Sequence, residues 1–412
     1  MKPHDYDERN RKPLRVTRNS TKRLLSSVVM PSQPLPVLPD ELIREILLRL
    51  PARSLLGLRS VCRSWRTLIS SSKFANDHVQ HSISADPCLS NPRVAYCSWS
   101  YSCKRIGDFP IQNLLKNPSE LPEVLLFEGG SNYRIVGCCN GLLCLLEVER
   151  ANTIKNRAML WNPCTGFASR SLEIGGFLLL CGFGYDHVND EYKLVGFVKQ
   201  KQKKKRPRST TTIYTFCPNP SRRTIQERPP KGRYVGNEGV FVPGTGTLNW
   251  IHLHGTMDCS VFSLDLVKET FSEFSLPCNN PTAGNICALR NCLAFCFKPN
   301  KTHWAVWLMK EYGEPQSWTK FAMILLDPPI DGLQPLWLLP LYVWRNYVLL
   351  VDSSTKIVRY NLDDGSFEFI PLDSRPFSNS SGFWFYIYHE SLVSPTYRGL
   401  RSSSSQMRLI KP

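Results

Sequence analysis

The sequence of 412 residues contains no Gly-x-Ser-x-Gly, no His-Glu-x-x-His and no Walker phosphate-loop motif, and its eight histidines are scattered along the chain. Each of these motifs positions a catalytic nucleophile, a zinc ion or a nucleotide phosphate. Gly182-Phe183-Gly184 and Gly244-Thr245-Gly246 supply the first glycines of a dinucleotide-binding loop, but neither opens a helical pattern. We therefore predict that the chain is not an enzyme and binds no cofactor.

Long apolar runs and closely paired cysteines are missing too. The longest apolar stretches, near Phe177–Cys181 and Leu333–Trp344, are shorter than the ~20 residues of a membrane-spanning helix, so no membrane partner is expected. The fifteen cysteines include no Cys-x-x-Cys pair and follow no apolar signal segment, which indicates reduced thiols. Six of them lie in apolar, strand-like runs and are predicted to be small core residues: Cys138, Cys139, Cys144, Cys287, Cys292 and Cys296.

His252 and His254 are the best candidates for metal ligands. Residues i and i+2 of a strand project to the same face. A complete site needs at least three protein ligands, however, and no cysteine or acidic cluster lies nearby, although Asp258 is within reach in sequence. We therefore interpret both histidines as rim or core residues beside Trp250 and predict no metal site.

Basic residues outnumber acidic ones, and the formal net charge is +17. Residues 1–33 contain eight Lys/Arg against three Asp/Glu, and residues 199–233 contain twelve against one. The run Lys203–Arg208 fits a nuclear-import patch, a nucleic-acid contact or a solvated loop between strands, and the loop is favoured because such runs are frequent. Since the charge sits in two segments rather than on one folded face, a nucleic-acid partner is not favoured. We predict localisation to the nucleus, the cytoplasm or both.

Residues 38–78 have the spacing of three short amphipathic helices. Asp40 is placed to cap a first helix, Pro51 ends it, Arg53 begins a second helical run, and Trp65 continues the pattern into a third. A block of about forty residues buries too small a share of its surface to be stable alone. The apolar face is therefore predicted to dock on a partner.

This block resembles the F-box, on the residues Leu38-Pro39, Leu42-Ile43, Glu45-Ile46-Leu47, Leu50-Pro51, Leu55, Val61-Cys62, Trp65, Ile69, Phe74 and His78. Gly57 and Leu58 stand where plant members often carry other residues. The resemblance implies docking onto a Skp-type adaptor of an SCF ubiquitin ligase. The predicted adaptor-binding residues are Leu38, Pro39, Leu42, Ile43, Ile46, Leu47, Leu50, Pro51, Leu55, Val61, Cys62 and Trp65.

Beyond residue 128, short alternating apolar runs bounded by Gly, Pro, Asn and Asp are typical of an all-β domain. Five segments share an apolar strand, a polar turn and then an aromatic or apolar residue, and their starts are 54, 48, 44 and 52 residues apart: Met159, Ile213, Val261, Ala305 and Ile357. That period is close to the ~50 residues of a kelch-type propeller blade. The kelch glycine doublet is missing before most repeats, so a divergent propeller is predicted.

The same region resembles the plant F-box-associated domain, on the segments that begin at Ile135, Leu160, Gly182, Gly246, Phe262 and Tyr360. In that family the domain recruits a substrate. From the residues themselves, Asn140-Gly141 is interpreted as a tight turn between two buried strands. Gly182, Gly184 and Asp186 are interpreted as shaping a bend.

The predicted fold class is an α+β multidomain chain, with a small three-helix F-box followed by an all-β, kelch-like propeller. The predicted boundaries are 1–33 for a basic disordered tail, 34–80 for the F-box, 81–128 for a linker or the first propeller strands, 129–400 for the propeller and 401–412 for a tail. The predicted function is substrate recognition in an SCF-type ligase, with an unidentified protein target. The alternatives are an F-box scaffold outside a ligase and a nucleic-acid-associated protein that uses the basic loop.

Overall fold

The computed structural model describes residues 38–84, 92–98, 105–116, 127–128, 132–147, 155–199, 209–216, 220–226, 229–230, 232–255, 258–278, 284–300, 302–327, 335–352, 356–370 and 383–395. The predicted tails and the run Lys203–Arg208 lie outside these residues. By its internal contacts the chain divides into two compact units, residues 1–43 and 44–412. Among the described helices, none combines the length and apolar character needed to cross a bilayer.

Four helices precede the sheets, and we call residues 38–84 the helical block: α1 Asp40–Leu48, α2 Ala52–Leu58, α3 Arg63–Ile69 and α4 Ser72–Ser84. The sequence predicted three helices, and α4 is the addition. It begins where Ser71 Oγ accepts a hydrogen bond from the Phe74 amide at 3.1 Å, which is the usual way a serine caps a helix. Its bounds extend past the predicted end of the block at residue 80.

Twenty-four strands in the described residues form six four-stranded antiparallel blades. Blade 1 contains β24, β1, β2 and β3, and α5 (Ile111–Lys116) follows β2. Blades 2 to 6 contain β4–β7, β8–β11, β12–β15, β16–β19 and β20–β23. The strand bounds are β1 Pro92–Ser98, β2 Arg105–Pro110, β3 Phe127–Glu128, β4 Tyr133–Cys139, β5 Leu142–Glu147, β6 Lys155–Trp161, β7 Leu172–Gly175, β8 Phe177–Asp186, β9 Glu191–Lys199, β10 Ser209–Thr215, β11 Ser221–Ile225, β12 Arg233–Val242, β13 Thr247–His254, β14 Asp258–Asp265, β15 Phe271–Ser275, β16 Asn285–Leu289, β17 Cys292–Phe297, β18 His303–Met309, β19 Trp318–Leu325, β20 Leu338–Trp344, β21 Tyr347–Asp352, β22 Ile357–Asn361, β23 Phe367–Ile370 and β24 Phe383–His389.

The blades close into a ring around their inner strands. The inner strand of each blade lies beside that of the next, in the order β24, β4, β8, β12, β16, β20 and back to β24. Strand β24 comes from the far end of the domain and pairs with β1 from Pro92↔His389 to Ser98↔Phe383. Segment 81–128, which the sequence left open between a linker and first strands, therefore contains three strands of blade 1.

The core consists of six apolar layers, each between two consecutive blades. A blade in such a ring is covered on both faces, so its strands are apolar at successive positions instead of alternating. Strand β5 shows the result, because its first five residues are all buried. Twelve cysteines lie within the described residues, all free, and burial raises the pKa of most of these thiols.

The five-fold repeat found in the sequence corresponds to one strand position in the blade. Its segments lie in β6, β10, β14, β18 and β22, which are the third strands of blades 2 to 6. In blades 4 and 6 the third strand is joined to the fourth by a five-residue turn, 266–270 and 362–366, as the repeat predicted. The predicted propeller is confirmed, and the described blades number six.

Glycines in two inner strands allow blades 3 and 4 to touch. Strands β8 and β12 form a short parallel pair, Glu238↔Cys181 and Gly239↔Gly182. A Cβ atom on Gly239 would stand 2.5 Å from the Trp250 indole, and one on Gly182 would stand 2.9 Å from it. Residues Gly182 and Gly184 lie within the continuous strand β8. The predicted bend at these glycines is therefore wrong, because their small size serves packing between blades.

We expect Gly239→Ala to lower the free energy of unfolding by about 1–3 kcal/mol, since the added methyl group overpacks the Trp250 ring. The matched control is Gly57→Ala, because Gly57 lies in α2 and a methyl group added there would have no neighbour within 4 Å. That change should raise the free energy of unfolding by about 0.5–1 kcal/mol. Urea unfolding followed by circular dichroism measures both. Equal stability of the Gly239→Ala variant and the parent would contradict the packing argument.

Candidate functional site

The helical block exposes four large apolar side chains: Leu38 (51% exposed), Leu42 (50%), Ile46 (48%) and Val61 (60%). Pro39, Pro51 and Cys62 of the predicted adaptor-binding set are exposed too. Leu42 and Ile46 are four residues apart in α1, which is the spacing of neighbours on one face of a helix. Exposed apolar side chains on one helix face are a candidate for an interaction surface.

The remaining predicted binding residues are less accessible. Ile43, Leu50 and Trp65 are half-buried. Leu47 and Leu55 have no exposed surface, so their side chains pack inside the chain. Helical spacing alone could not separate these two from Leu42 and Ile46, because core and interface positions are both apolar.

The α2–α3 turn presents a thiol to solvent. Cys62 occupies the N-cap position of α3, and its Sγ lies 3.1 Å from Ser64 Oγ. The hydrogen bonds of Ser64 and of the Trp65 amide lower the pKa of this thiol below its ordinary value. Among the described cysteines, Cys62 is the exposed one.

Helix α4 contacts the other helices of the block through a hydrogen bond and an ion pair. His78 Nε2 donates to the Leu50 carbonyl at 2.9 Å, and its ring stacks on Phe74 with centroids 6.3 Å apart. Arg44 and Asp77 form an ion pair between α1 and α4. Burial lowers the pKa of His78, so the ring is neutral at neutral pH.

The opposite side of α4 packs on the propeller. Ala75 and Val79 belong to the apolar layer between blades 2 and 3, together with Val136, Leu142 and other strand residues. Helix α4 therefore packs on the propeller face that carries the first hairpin turn of each blade. We call this the hairpin face and the other the far face.

A buried charge network strengthens this junction. Arg53 Nε of α2 donates to Glu390 Oε1 at 2.6 Å, and Arg93 Nη1 of β1 donates to the same oxygen at 3.4 Å. Arg93 Nε donates to Asp108 Oδ2 at 2.5 Å, and Tyr388 donates to the same carboxylate. Burial lowers the pKa of Arg93, but the interactions with Asp108, Tyr388 and Glu390 outweigh it and raise the pKa overall. We call these five residues the junction network.

The residues after β24 are held by Asn140 and Asn162. Asn140 and Gly141 form the predicted turn, both with positive φ. The Asn140 carbonyl accepts a hydrogen bond from Ser391 Oγ at 2.8 Å. Asn162 Nδ2 donates to the carbonyls of Ser391 and Val393, at 3.0 and 2.7 Å. These asparagines therefore anchor the end of the domain as well as forming turns.

A cavity of about 870 Å³ opens along the ring axis at the hairpin face. Polar side chains from several inner hairpins line it, including His187, Arg290, Tyr342 and His389, and Gln80 of α4 forms part of its wall. Further along the axis, Arg134 of β4 and Glu238 of β12 form an ion pair with Nη1 and Oε1 3.0 Å apart. Helix α4 thus borders this end of the channel.

Comparison with protein families assigns both parts of the chain. A model described as "F-box associated beta propeller domain" matches residues 109–395, and a model of the F-box domain matches residues 35–77. The chain belongs to the F-box proteins with an F-box-associated β-propeller domain.

Relatives of this F-box protein occur in Arabidopsis thaliana. An F-box/kelch-repeat protein is 30% identical over 378 residues, which is 87% of this chain and 96% of that protein. An F-box protein is 27% identical over 346 residues, 75% of this chain and 77% of that one. An F-box/LRR-repeat protein is 26% identical over 357 residues, 79% and 76% of the two chains. The predicted resemblance to plant F-box proteins is confirmed.

Three tryptophans of the propeller of this F-box protein have part of their surface exposed. Trp337 and Trp344 are half-buried against the apolar layer between blades 1 and 6, and the Arg345 guanidinium stands 4.7 Å from the Trp344 ring. Trp384 is 36% exposed, near the start of β24. Packing between blades accounts for the first two.

One cluster in this F-box protein was not apparent from the sequence. His252 Nδ1 and His254 Nε2 lie 3.1 and 2.9 Å from Glu273 Oε1. Asp258, the carboxylate nearest in sequence, pairs with His254 across β13 and β14 but is not the one that meets the two rings. Glu273 lies about twenty residues away on β15, so only the strand order of blade 4 could have revealed it.

Proposed function

We propose that this F-box protein is the substrate-recognition subunit of an SCF-type cullin-RING ubiquitin ligase. The helical block binds a Skp-type adaptor, and the propeller binds a target protein. Joining the two places the target near the ubiquitin that the ligase carries, which raises its effective concentration. The chain itself catalyses no step.

The exposed apolar group of the helical block supports the adaptor contact. Interface energy concentrates in a few well-buried apolar anchors. Leu38, Leu42, Ile46 and Val61 are the large apolar side chains of the block with about half or more of their surface exposed. Leu47 and Leu55 support these positions from inside the chain.

The position of α4 supports a target site on the far face. Because α4 packs on the hairpin face, we place the proposed target site on the far face. The strands that flank residues 148–154, 200–208 and 298–302 end at the far face, and these connections between second and third strands differ in length from blade to blade. Loops that vary on a rigid scaffold are the usual place for specificity.

The adaptor contact is tested by titrating the full chain with a purified Skp-type adaptor. The Leu42→Asp/Ile46→Asp variant should bind about 100-fold more weakly, since each buried apolar side chain contributes ~1.5 kcal/mol or more. Val188→Asp is the matched control, because Val188 is an equally exposed apolar residue (65%) of the propeller. Its affinity should equal that of the parent. Circular dichroism confirms that both variants are folded.

The outcomes separate the alternatives. No adaptor binding by the parent would overturn the proposal. Adaptor binding without assembly of the cullin-RING complex in a reconstituted mixture would favour a scaffold outside a ligase. Nucleic-acid binding that collapses with salt and with deletion of 200–208 would favour the basic-loop function. Localisation to the nucleus, the cytoplasm or both stays a prediction.

A further inference from the structure

Two histidines and one carboxylate converge on the surface of blade 4. His252 and His254 lie on β13, and Glu273 lies on β15 with β14 between them. His252 Nδ1, His254 Nε2 and a Glu273 carboxylate oxygen all lie within 4.8 Å of one another. Three potential ligands thus come from two strands whose spacing is fixed by the sheet.

The distances suit a small cation. Zinc bonds of ~2.0–2.1 Å at a tetrahedral angle place neighbouring ligand atoms ~3.3 Å apart. The two nitrogen–oxygen distances, 3.1 and 2.9 Å, are a few tenths of an ångström short of that spacing, and the two nitrogens lie within 4.8 Å of each other. Two imidazoles and one carboxylate are also a ligand set that zinc uses in proteins.

Several polar groups of the cluster share one carboxylate oxygen. Both histidine nitrogens and Ser260 Oγ approach the same oxygen, Glu273 Oε1. Ser260 Oγ also lies 2.8 Å from His254 Nε2, so the hydroxyl, the two rings and the carboxylate meet at one point. An anionic oxygen facing two imidazole nitrogens is ready to receive a divalent ion.

The cluster is held rigidly on one side and open on the other. His252 is buried, and its ring packs against Tyr234 and His254 with centroids 5.0 and 4.3 Å apart. The side chains of His254 and Glu273 are 41% and 36% exposed. A metal can therefore enter from solvent and keep an open coordination position, as zinc does at non-structural sites.

We propose that His252, His254 and Glu273 form a binding site for a divalent transition-metal ion of the Zn²⁺ type. His252 Nε2 has no hydrogen-bond partner within the described part of the chain. Because an acceptor for the second ring nitrogen strengthens metal binding, this site should bind more weakly than a structural zinc site. Strand β13 ends at His254, so the site lies at the end of this strand on the side of the far face.

The test uses the full chain in a Cys62→Ser background, which removes the exposed thiol from competition. Cobalt(II) is titrated first, because tetrahedral cobalt absorbs visibly and thiolate ligation adds a separate charge-transfer band. We expect one equivalent of Co²⁺, without the thiolate band, displaced by one equivalent of Zn²⁺. His254→Ala and Glu273→Gln, both at exposed positions, should each weaken binding by at least tenfold and abolish the rise in melting temperature caused by Zn²⁺.

His187→Ala is the matched control, because His187 is an exposed histidine on a different blade. Its affinity for Co²⁺ should equal that of the parent. Unchanged affinity in His254→Ala and Glu273→Gln, no saturable binding by the parent, or a thiolate band in the parent would each overturn the proposal. None of these results depends on adaptor binding, so the metal site and the proposed function are tested separately.

Discussion

Replacing Lys193 by alanine should lower the free energy of unfolding by about 3–5 kcal/mol, because it leaves buried carboxylates without their cation. The Lys193 side chain is 1% exposed. Its Nζ donates to Asp186 Oδ2 at 2.6 Å, to the Leu266 carbonyl at 2.8 Å and to Glu269 Oε1 at 3.2 Å. The ammonium group thus joins blade 3, which contains Asp186, to the β14–β15 turn of blade 4.

Urea unfolding at neutral pH measures this loss, and a double variant supplies the control. Asp186 also accepts hydrogen bonds from the amides of Val188 and Asn189, which an asparagine oxygen can replace. The single variant Lys193→Met should lose stability as Lys193→Ala does. The double variant Lys193→Met/Asp186→Asn should recover part of that loss, since the Asp186 carboxylate is removed together with its cation. A loss below about 1 kcal/mol in Lys193→Ala would show that water or Arg223 compensates the carboxylates.

Replacing Glu390 by alanine should have the second largest effect, with a loss of about 3 kcal/mol, because Glu390 is the acceptor shared by Arg53 and Arg93 in the junction network. Arg93 is 6% exposed and keeps one carboxylate, Asp108. The helical block also loses its ion pair to the propeller. We expect unfolding to split into two transitions, with the block melting first.

The partner variant Arg53→Ala distinguishes the two parts of this effect. The Arg53 side chain is 41% exposed, so its loss should cost about 1 kcal/mol or less in global stability. Limited proteolysis between the block and the propeller should nevertheless increase in both variants. A single transition and unchanged proteolysis in Glu390→Ala would mean that the apolar contacts of Ala75 and Val79 hold the junction alone.

The propeller could be predicted from the sequence because the repeat marks the same strand of each blade, and that strand has similar neighbours in every blade. The third strands of blades 2 to 6 lie between neighbouring blades and are followed by turn residues in the sequence. Each therefore gives the same pattern of apolar and then polar residues. Blade 1 gave no such repeat in the sequence. Its strands come from 92–128 and 383–389, which puts its inner strand almost three hundred residues after its second.

A candidate site could be predicted from the sequence where its residues lie close together along the chain, and could not be predicted where they lie far apart. Helical spacing predicted the proposed adaptor face, but burial of Leu47 and Leu55 depends on contacts that spacing does not describe. The Glu273 contact to His252 and His254 crosses an intervening strand. The role of Asn162 depends on Ser391 and Val393, which are more than two hundred residues away. Contacts between residues so far apart in sequence can be inferred only once the fold is known.

The closure of the ring by β24 has a consequence for how the protein is made on the ribosome. The helical block and its exposed apolar group leave the ribosome first, whereas blade 1 and the acceptor Glu390 are complete only after residues 383–395 have emerged. A chain cut short before β24 keeps the sequence of the adaptor face and lacks the strand that closes the ring. Under the proposed function, such a fragment would occupy an adaptor without presenting a target, so premature stop codons late in the gene should interfere with the intact protein.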